Sequence, residues 1–153
     1  MFESYIGTKR IDAEPMTRGE YAKLSGRNYI LTEKGESESD NGYHVRYPDG
    51  YESWSPKLAF DAAYRKSGNM TFGQAIELLK LGCKMARKGW NGKSQYIELA
   101  TNISYINVHE ECVNANHDAI GNKAIAFVGT SGVQLGWLAS QTDMLAEDWH
   151  IVE

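Results

Sequence analysis

The thirteen residues from Trp137 to Trp149, W-L-A-S-Q-T-D-M-L-A-E-D-W, set two indoles around a polar cluster of Ser140, Gln141, Asp143 and Asp148. Aromatic faces beside amides and carboxylates suit a flat heteroaromatic ligand, because the ring stacks while its edge exchanges hydrogen bonds. Ser140 followed three residues later by Asp143 also reads as the start of a helix, since a serine oxygen accepts from an orphan amide of the first turn. The spacing predicts a short helix ending near Glu147. Closing a small core would need only one aliphatic side chain per turn here, so two tryptophans point to a second use.

Arg87, Lys88, Gly89, Trp90 and Asn91, in R-K-G-W-N-G, form another candidate site at a strand end that leads into a tight turn. A guanidinium presents a rigid fork for two phosphate oxygens, and an adjacent indole covers a base or sugar face. Taken alone, this motif is better explained by a Trp90 that plugs the edge of the core and a solvated Arg87. Taken with the first motif, it gains weight: two stacks of about 1–3 kcal/mol each, plus charge-assisted bonds to phosphate, reach the roughly 11 kcal/mol of tight binding if the pocket is preorganised.

Other arrangements carry less. His109, Glu110, Glu111 and Cys112, with His117 and Asp118 nearby, lack the paired spacing that turns ligands toward one metal ion, so an exposed polar loop is expected and no metal. The same His and Cys have no third group placed to orient them for covalent catalysis. Asp143 and Asp148 are five residues apart across a helix end and need not converge as a carboxylate pair. Neither glycine-rich phosphate pattern, G-x-x-x-x-G-K-S/T or G-x-G-x-x-G, occurs. These observations predict a binding protein without catalytic residues or cofactor.

The chain has 153 residues with 16 basic and 20 acidic side chains, a net charge of −4, which disfavours DNA or RNA as the main partner. No apolar run approaches bilayer length and no leader pattern opens the chain, so a soluble, intracellular protein is expected, with Cys83 and Cys112 as ordinary reduced thiols.

Composition changes around Arg65 to Asn69, which predicts a small α+β module over residues 1–66 and a second domain over 70–153. In the first, an extended stretch from Tyr5 to Ile11 is expected, then a helix capped by Thr17 and Glu20 and ending near Gly26. Glu33 to Asp40 reads as an acidic loop that buries nothing. Tyr43, Val45 and Tyr47 alternate with polar residues, Pro48-Asp49-Gly50 turns the chain, and Tyr51 to Trp54 returns. Ser55 should cap a helix starting at Pro56, with Leu58, Ala59, Ala62 and Ala63 as its apolar face. The aromatic run Tyr47 to Pro56 reads as structural or protein-contacting.

In the second, Thr71 and Gln74 cap a helix whose inner face is Phe72, Ala75, Ile76, Leu78 and Leu79, with Glu77 and Lys80 outward and Gly82 as its left-handed stop. A strand over Cys83 to Lys88, a hairpin turn at Asn91-Gly92 and a strand over Gln95 to Leu99 follow. The pattern fades between Thr101 and Asn122. A buried strand over Ala124 to Val128, a turn into Val133 to Leu135, the Ser140 helix and a strand over Trp149 to Val152 complete an α+β fold, a small antiparallel sheet packed with short helices and preceded by the smaller α+β module.

Met70 to Glu153, with M-T-F-G-Q-A-I-E-L-L-K-L-G-C-K-M-A-R-K-G-W-N-G-K at its start and W-L-A-S-Q-T-D-M-L-A-E-D-W at its end, resembles the second Thoeris anti-defence family of phage proteins. The first segment resembles an uncharacterised module of small phage proteins. The resemblance implies a protein in the cytoplasm of the infected bacterial host that sequesters an immune signalling nucleotide without destroying it. It further implies cyclic ADP-ribose isomers as ligands, cyclic dinucleotides for some members, and homo-oligomers, typically tetramers, with pockets at subunit contacts. On this basis Trp90 and Trp137 stack on base or ribose, Arg87 pairs with phosphate, and Gln141, Asp143 and Asp148 bond ribose or base edges. Phe72 lines the pocket, with Asn91 and Ser140 beside it. Two rival readings stand against this one: a phosphodiesterase or glycohydrolase that degrades the signal through Asp143, Asp148 or the His109 cluster, and a protein-interaction module that binds no small molecule.

Overall fold

A computed structural model describes residues 2–26, 35–90, 94–118 and 122–153. By spatial proximity the chain divides into two compact units, Met1–Tyr64 and Arg65–Glu153. Its sheets are antiparallel and its helices short, as an α+β chain requires.

The first unit contains β1 (Asp12–Thr17), α1 (Arg18–Ser25), β2 (Asn41–Arg46), β3 (Glu52–Pro56) and α2 (Lys57–Ala63), with the sheet ordered β1-β2-β3. Thr17 and Glu20 form the expected reciprocal cap, and Gly26 ends α1 in the left-handed region. The extended stretch expected over Tyr5 to Ile11 is not a strand. Pairing with Asn41–Arg46 sets the register, Asp12 opposite Arg46 and Thr17 opposite Asn41, so the strand begins where a partner exists.

The acidic loop does more than face water. Glu36 and Asp40 pair with Arg18, whose buried guanidinium also lies 4.5 Å from the Trp54 ring. Asp40 and Glu38 carbonyls accept the Arg18 and Gly19 amides. Charge neutralises a buried cation here, which a solvated loop would not do. Gly19 permits the approach: a Cβ there would lie 2.9 Å from that of Glu38.

Two further expectations fail at α2. Ser55 lies within β3 opposite Tyr43, and the residue preceding the helix is Pro56, which has no side chain to cap it. The expected apolar face points to solvent, Leu58 included, while Phe60 turns inward and stacks on Tyr43 with centroids 4.0 Å apart. A seven-residue helix has too few turns for periodicity to choose its inner face, and one aromatic pair decides it.

The second unit runs α3 (Phe72–Lys80), β4 (Lys84–Arg87), β5 (Tyr96–Thr101), β6 (Tyr105–Ile106), β7 (Cys112–Val113), β8 (Lys123–Gly129), β9 (Gly132–Leu135), α4 (Gln141–Met144) and β10 (Trp149–Val152). Its main sheet is ordered β10-β4-β5-β8-β9, so the last strand lies beside β4 and not beside its sequence neighbour. The Thr71 and Gln74 box caps α3, and Gly82 adopts φ 86° just after its end. Ala75, Leu78 and Leu79 of α3 pack with Met85, Ile97 and Trp149 to form the core.

The faded region between Thr101 and Asn122 contains the β6–β7 hairpin, held by Asn107, whose side chain accepts from the His109 and Glu111 amides. Cys83 precedes β4 and Lys88 follows it. The Ala124–Val128 segment is half-buried, with Ala126 alone fully enclosed, while Ile125 and Phe127 on the opposite face pack against the core. The predicted turn at Asn91-Gly92 lies outside the described residues. Among the described residues no helix is long and apolar enough to cross a membrane.

Candidate functional site

Antiparallel pairing places Arg87, the last residue of β4, opposite Trp149, the first of β10. This register decides the site, since it brings the R-K-G-W motif to the segment that precedes β10. Arg87 Nε donates to Asp148 Oδ1 at 2.9 Å, Nη2 reaches Asp148 Oδ2 at 3.5 Å, and Nη1 donates to Asp143 Oδ1 at 2.9 Å. The two carboxylates, whose convergence spacing left open, meet on one guanidinium.

Asp143 is the hub. Its Oδ1 also accepts the Trp90 indole N–H at 3.3 Å, its Oδ2 accepts from the Ser140 amide and hydroxyl, and its backbone carbonyl accepts the Trp149 indole N–H at 3.1 Å. The Ser140 and Asp143 cap is therefore present, but α4 stops at Met144 rather than near Glu147. Ala146 then donates to the Asp143 carbonyl, and Asp148 is drawn toward Arg87, so the last turn cannot continue as helix.

Electrostatics follow from this geometry. The Arg87 hydrogen bond holds the Asp148 carboxyl below its ordinary range against some desolvation. Burial pushes the Asp143 carboxyl up, but hydrogen bonds from Ser140, Arg87 and Trp90 together outweigh it and hold the group low. Asp148 and then Asp143 hold the Arg87 guanidinium more firmly protonated than usual. Both carboxylates are thus anions, and the three side chains sum to one negative charge.

Above this network the aromatic rings interlock. Trp90 stands edge-on to Trp137 at 5.8 Å and to Phe127 at 5.3 Å, and Trp137 lies nearly parallel to Phe127 at 6.5 Å. The Trp137 amide is fixed by the Ile125 carbonyl at 2.9 Å. Trp90, Trp137 and Phe127 are half-buried, whereas Trp149 is fully enclosed. Phe72 contacts the buried Trp149 ring at 5.5 Å, beneath the corner.

Of the candidate residues, Arg87, Trp90, Trp137, Ser140, Asp143 and Asp148 come together, and Phe72 joins through Trp149. Gln141 is exposed on the first turn of α4 and, among the described residues, makes no side-chain bond to this group. Asn91 lies outside the described residues. Sequence reasoning missed Phe127; its place two residues after Ile125 on β8 puts both on one face, the signal that could have found it. His109, Cys112 and His117 are exposed, and among the described residues no group of three or more His, Cys, Asp or Glu could hold a metal ion.

The matching family model, the Thoeris anti-defense 2-like domain, covers residues 70–152 and so contains every one of these side chains. The chain belongs to the Thoeris anti-defense 2-like family. A similar protein is "Thoeris anti-defense 2" of Bacillus phage SP01, 38% identical over 86 residues that make up 54% of this chain and 94% of the relative. The match spans nearly the whole of that relative, and the first unit stands outside the residues matched by the family model.

Proposed function

We propose that the chain is a phage anti-defence protein that binds and sequesters cyclic nucleotide immune signals without cleaving them. Cyclic ADP-ribose isomers are the leading ligands and cyclic dinucleotides the second class. The observation that carries this reading is the half-buried corner of Trp90, Trp137 and Phe127 beside the Asp143 and Asp148 carboxylates, inside the residues that match an anti-defence family. A purine or ribose stacks on an indole for about 1–3 kcal/mol, and the acceptors beside the ring give the ligand's edge a fixed orientation.

A binding role is also supported by the state of the carboxylates. Hydrolysis by a carboxylate pair needs one member kept protonated as the general acid. Hydrogen bonds instead hold both carboxyls low, from Ser140 and Arg87 to Asp143 against its burial, and from Arg87 to Asp148. The protein acts in the cytoplasm of the infected host, as a homo-oligomer whose pockets lie at subunit contacts.

The decisive experiment mixes purified protein with cyclic ADP-ribose, removes free ligand, denatures the complex and analyses what is released. Intact ligand is the expected product. Converted ligand would replace sequestration with degradation, and no retained ligand from a panel of cyclic nucleotides would leave a protein-interaction role. Trp90→Ala and Trp137→Ala should each abolish capture while the protein still melts cooperatively.

A further inference from the structure

We infer that Arg87 is a positioning residue of this site and does not pair with the ligand's phosphate; the inference rests on the sequestration reading above. A guanidinium has five N–H donors in a planar fork. Three are already directed at carboxylates, Nε and Nη2 toward Asp148 and Nη1 toward Asp143. A phosphate approaching Arg87 meets two anions and one cation. To take the Nε and Nη2 fork, the phosphate would have to displace Asp148 and leave it unpaired beside a second anion. The two N–H donors that remain, one on each Nη, belong to nitrogens already bonded to carboxylates, so a phosphate there sits against Asp148 and an Asp143 side chain that is only 14% exposed.

What the guanidinium does instead is visible in the chain segments it joins. Arg87 ends β4, Asp143 lies in α4 and Asp148 leads into β10, so one side chain clasps three strands of sequence separated by 56 and 61 residues. Through Asp143 the clasp also orients the N–H groups of Trp90 and Trp149. The outward group of the clasp is the Asp148 carboxylate, 32% exposed and acceptor-only. It therefore selects hydrogen-bond donors on the ligand, meaning ribose hydroxyls or an exocyclic amine. The ligand's phosphates are met elsewhere.

Titration of wild-type protein, Arg87→Lys and Asp148→Asn with cyclic ADP-ribose over a range of NaCl concentrations tests this. Asp148→Asn gives opposite signs under the two roles. If Arg87 positions, the variant loses about tenfold or more in affinity; if Arg87 binds phosphate, freeing it tightens binding. Arg87→Lys keeps the charge but not the fork, so a comparable loss is expected, with the salt dependence of binding unchanged. Tighter binding by Asp148→Asn, or near-normal binding by Arg87→Lys with a changed salt dependence, overturns the inference.

A ligand-free measurement separates this from the functional reading. Hydrogen exchange at the indole N–H groups of Trp90 and Trp149 should accelerate in Arg87→Lys, and unchanged exchange refutes the clasp. Wild-type protein that retains no cyclic nucleotide refutes sequestration, and the indole exchange still decides whether Arg87 positions these rings.

Discussion

Trp90 stands edge-on to Trp149, ring centroids 5.3 Å apart and planes at 78°. One ring is enclosed and the other reaches the surface, so mutation can separate their duties. Trp149→Ala should lower stability by about 3–5 kcal/mol, the usual result of emptying a core aromatic position. Trp90→Phe keeps an aromatic ring and loses one hydrogen bond to Asp143, an effect of about 0.5–1.5 kcal/mol. Urea denaturation of both variants checks the order; a larger effect at Trp90 would contradict the assignment of Trp149 to the core.

Thr71 accepts from the Gln74 amide at the head of α3, the helix that supplies Ala75, Leu78 and Leu79 to the core. Thr71→Ala should reduce stability by about 1 kcal/mol. Ser140→Ala should act differently, since it leaves Asp143 Oδ2 with only the backbone amide of residue 140 and disturbs the residue on which Arg87 and Trp90 both depend. Its effect on ligand capture should exceed its effect on the melting temperature, which paired binding and melting measurements will show.

Asp143 and Asp148 both have folded-state carboxyls held low, so on acidification the unfolded chain takes up protons first. Their contribution to stability is complete above the ordinary aspartate value of about 3.9 and is lost as pH falls through the lower folded values. Stability measured against pH should drop more gently for Asp148→Asn than for wild type on this acid limb. An identical limb in the variant would show that Asp148 is not linked to folding.

Gly42 offers a test confined to the first unit. It sits in β2 against the Trp54 ring and the Ser55 carbonyl, and a Cβ there would overlap both. Trp54 cannot yield freely, because its indole N–H donates to the Met16 carbonyl at 2.9 Å. Gly42→Ala should destabilise this unit by about 1–3 kcal/mol. Hydrogen exchange at the β2 and β3 amides checks it, and unchanged protection there would contradict the tight approach of Gly42 to Trp54.

The features legible in the sequence are those settled within one turn of chain. All three capping boxes, Thr17 with Glu20, Thr71 with Gln74 and Ser140 with Asp143, could be read because cap and partner are three residues apart. The same holds for the Gly26 and Gly82 helix stops. What could not be read depends on partners brought from afar. Nothing local says that Arg87 will find Asp148, that Glu36 will cover Arg18, or that Phe60 rather than Leu58 will face Tyr43. The candidate site was therefore visible as two motifs, and its internal wiring was not.

Asp143 employs both carboxylate oxygens and its own carbonyl at once. Asparagine would offer an amide hydrogen to either Arg87 or Ser140, and glutamate would carry the acceptor one methylene too far. A lineage bearing this domain consequently has no neutral single step away from aspartate at that position. Escape requires a coordinated exchange on two elements, and such exchanges are rare enough that the site's layout should outlast much of the surrounding sequence.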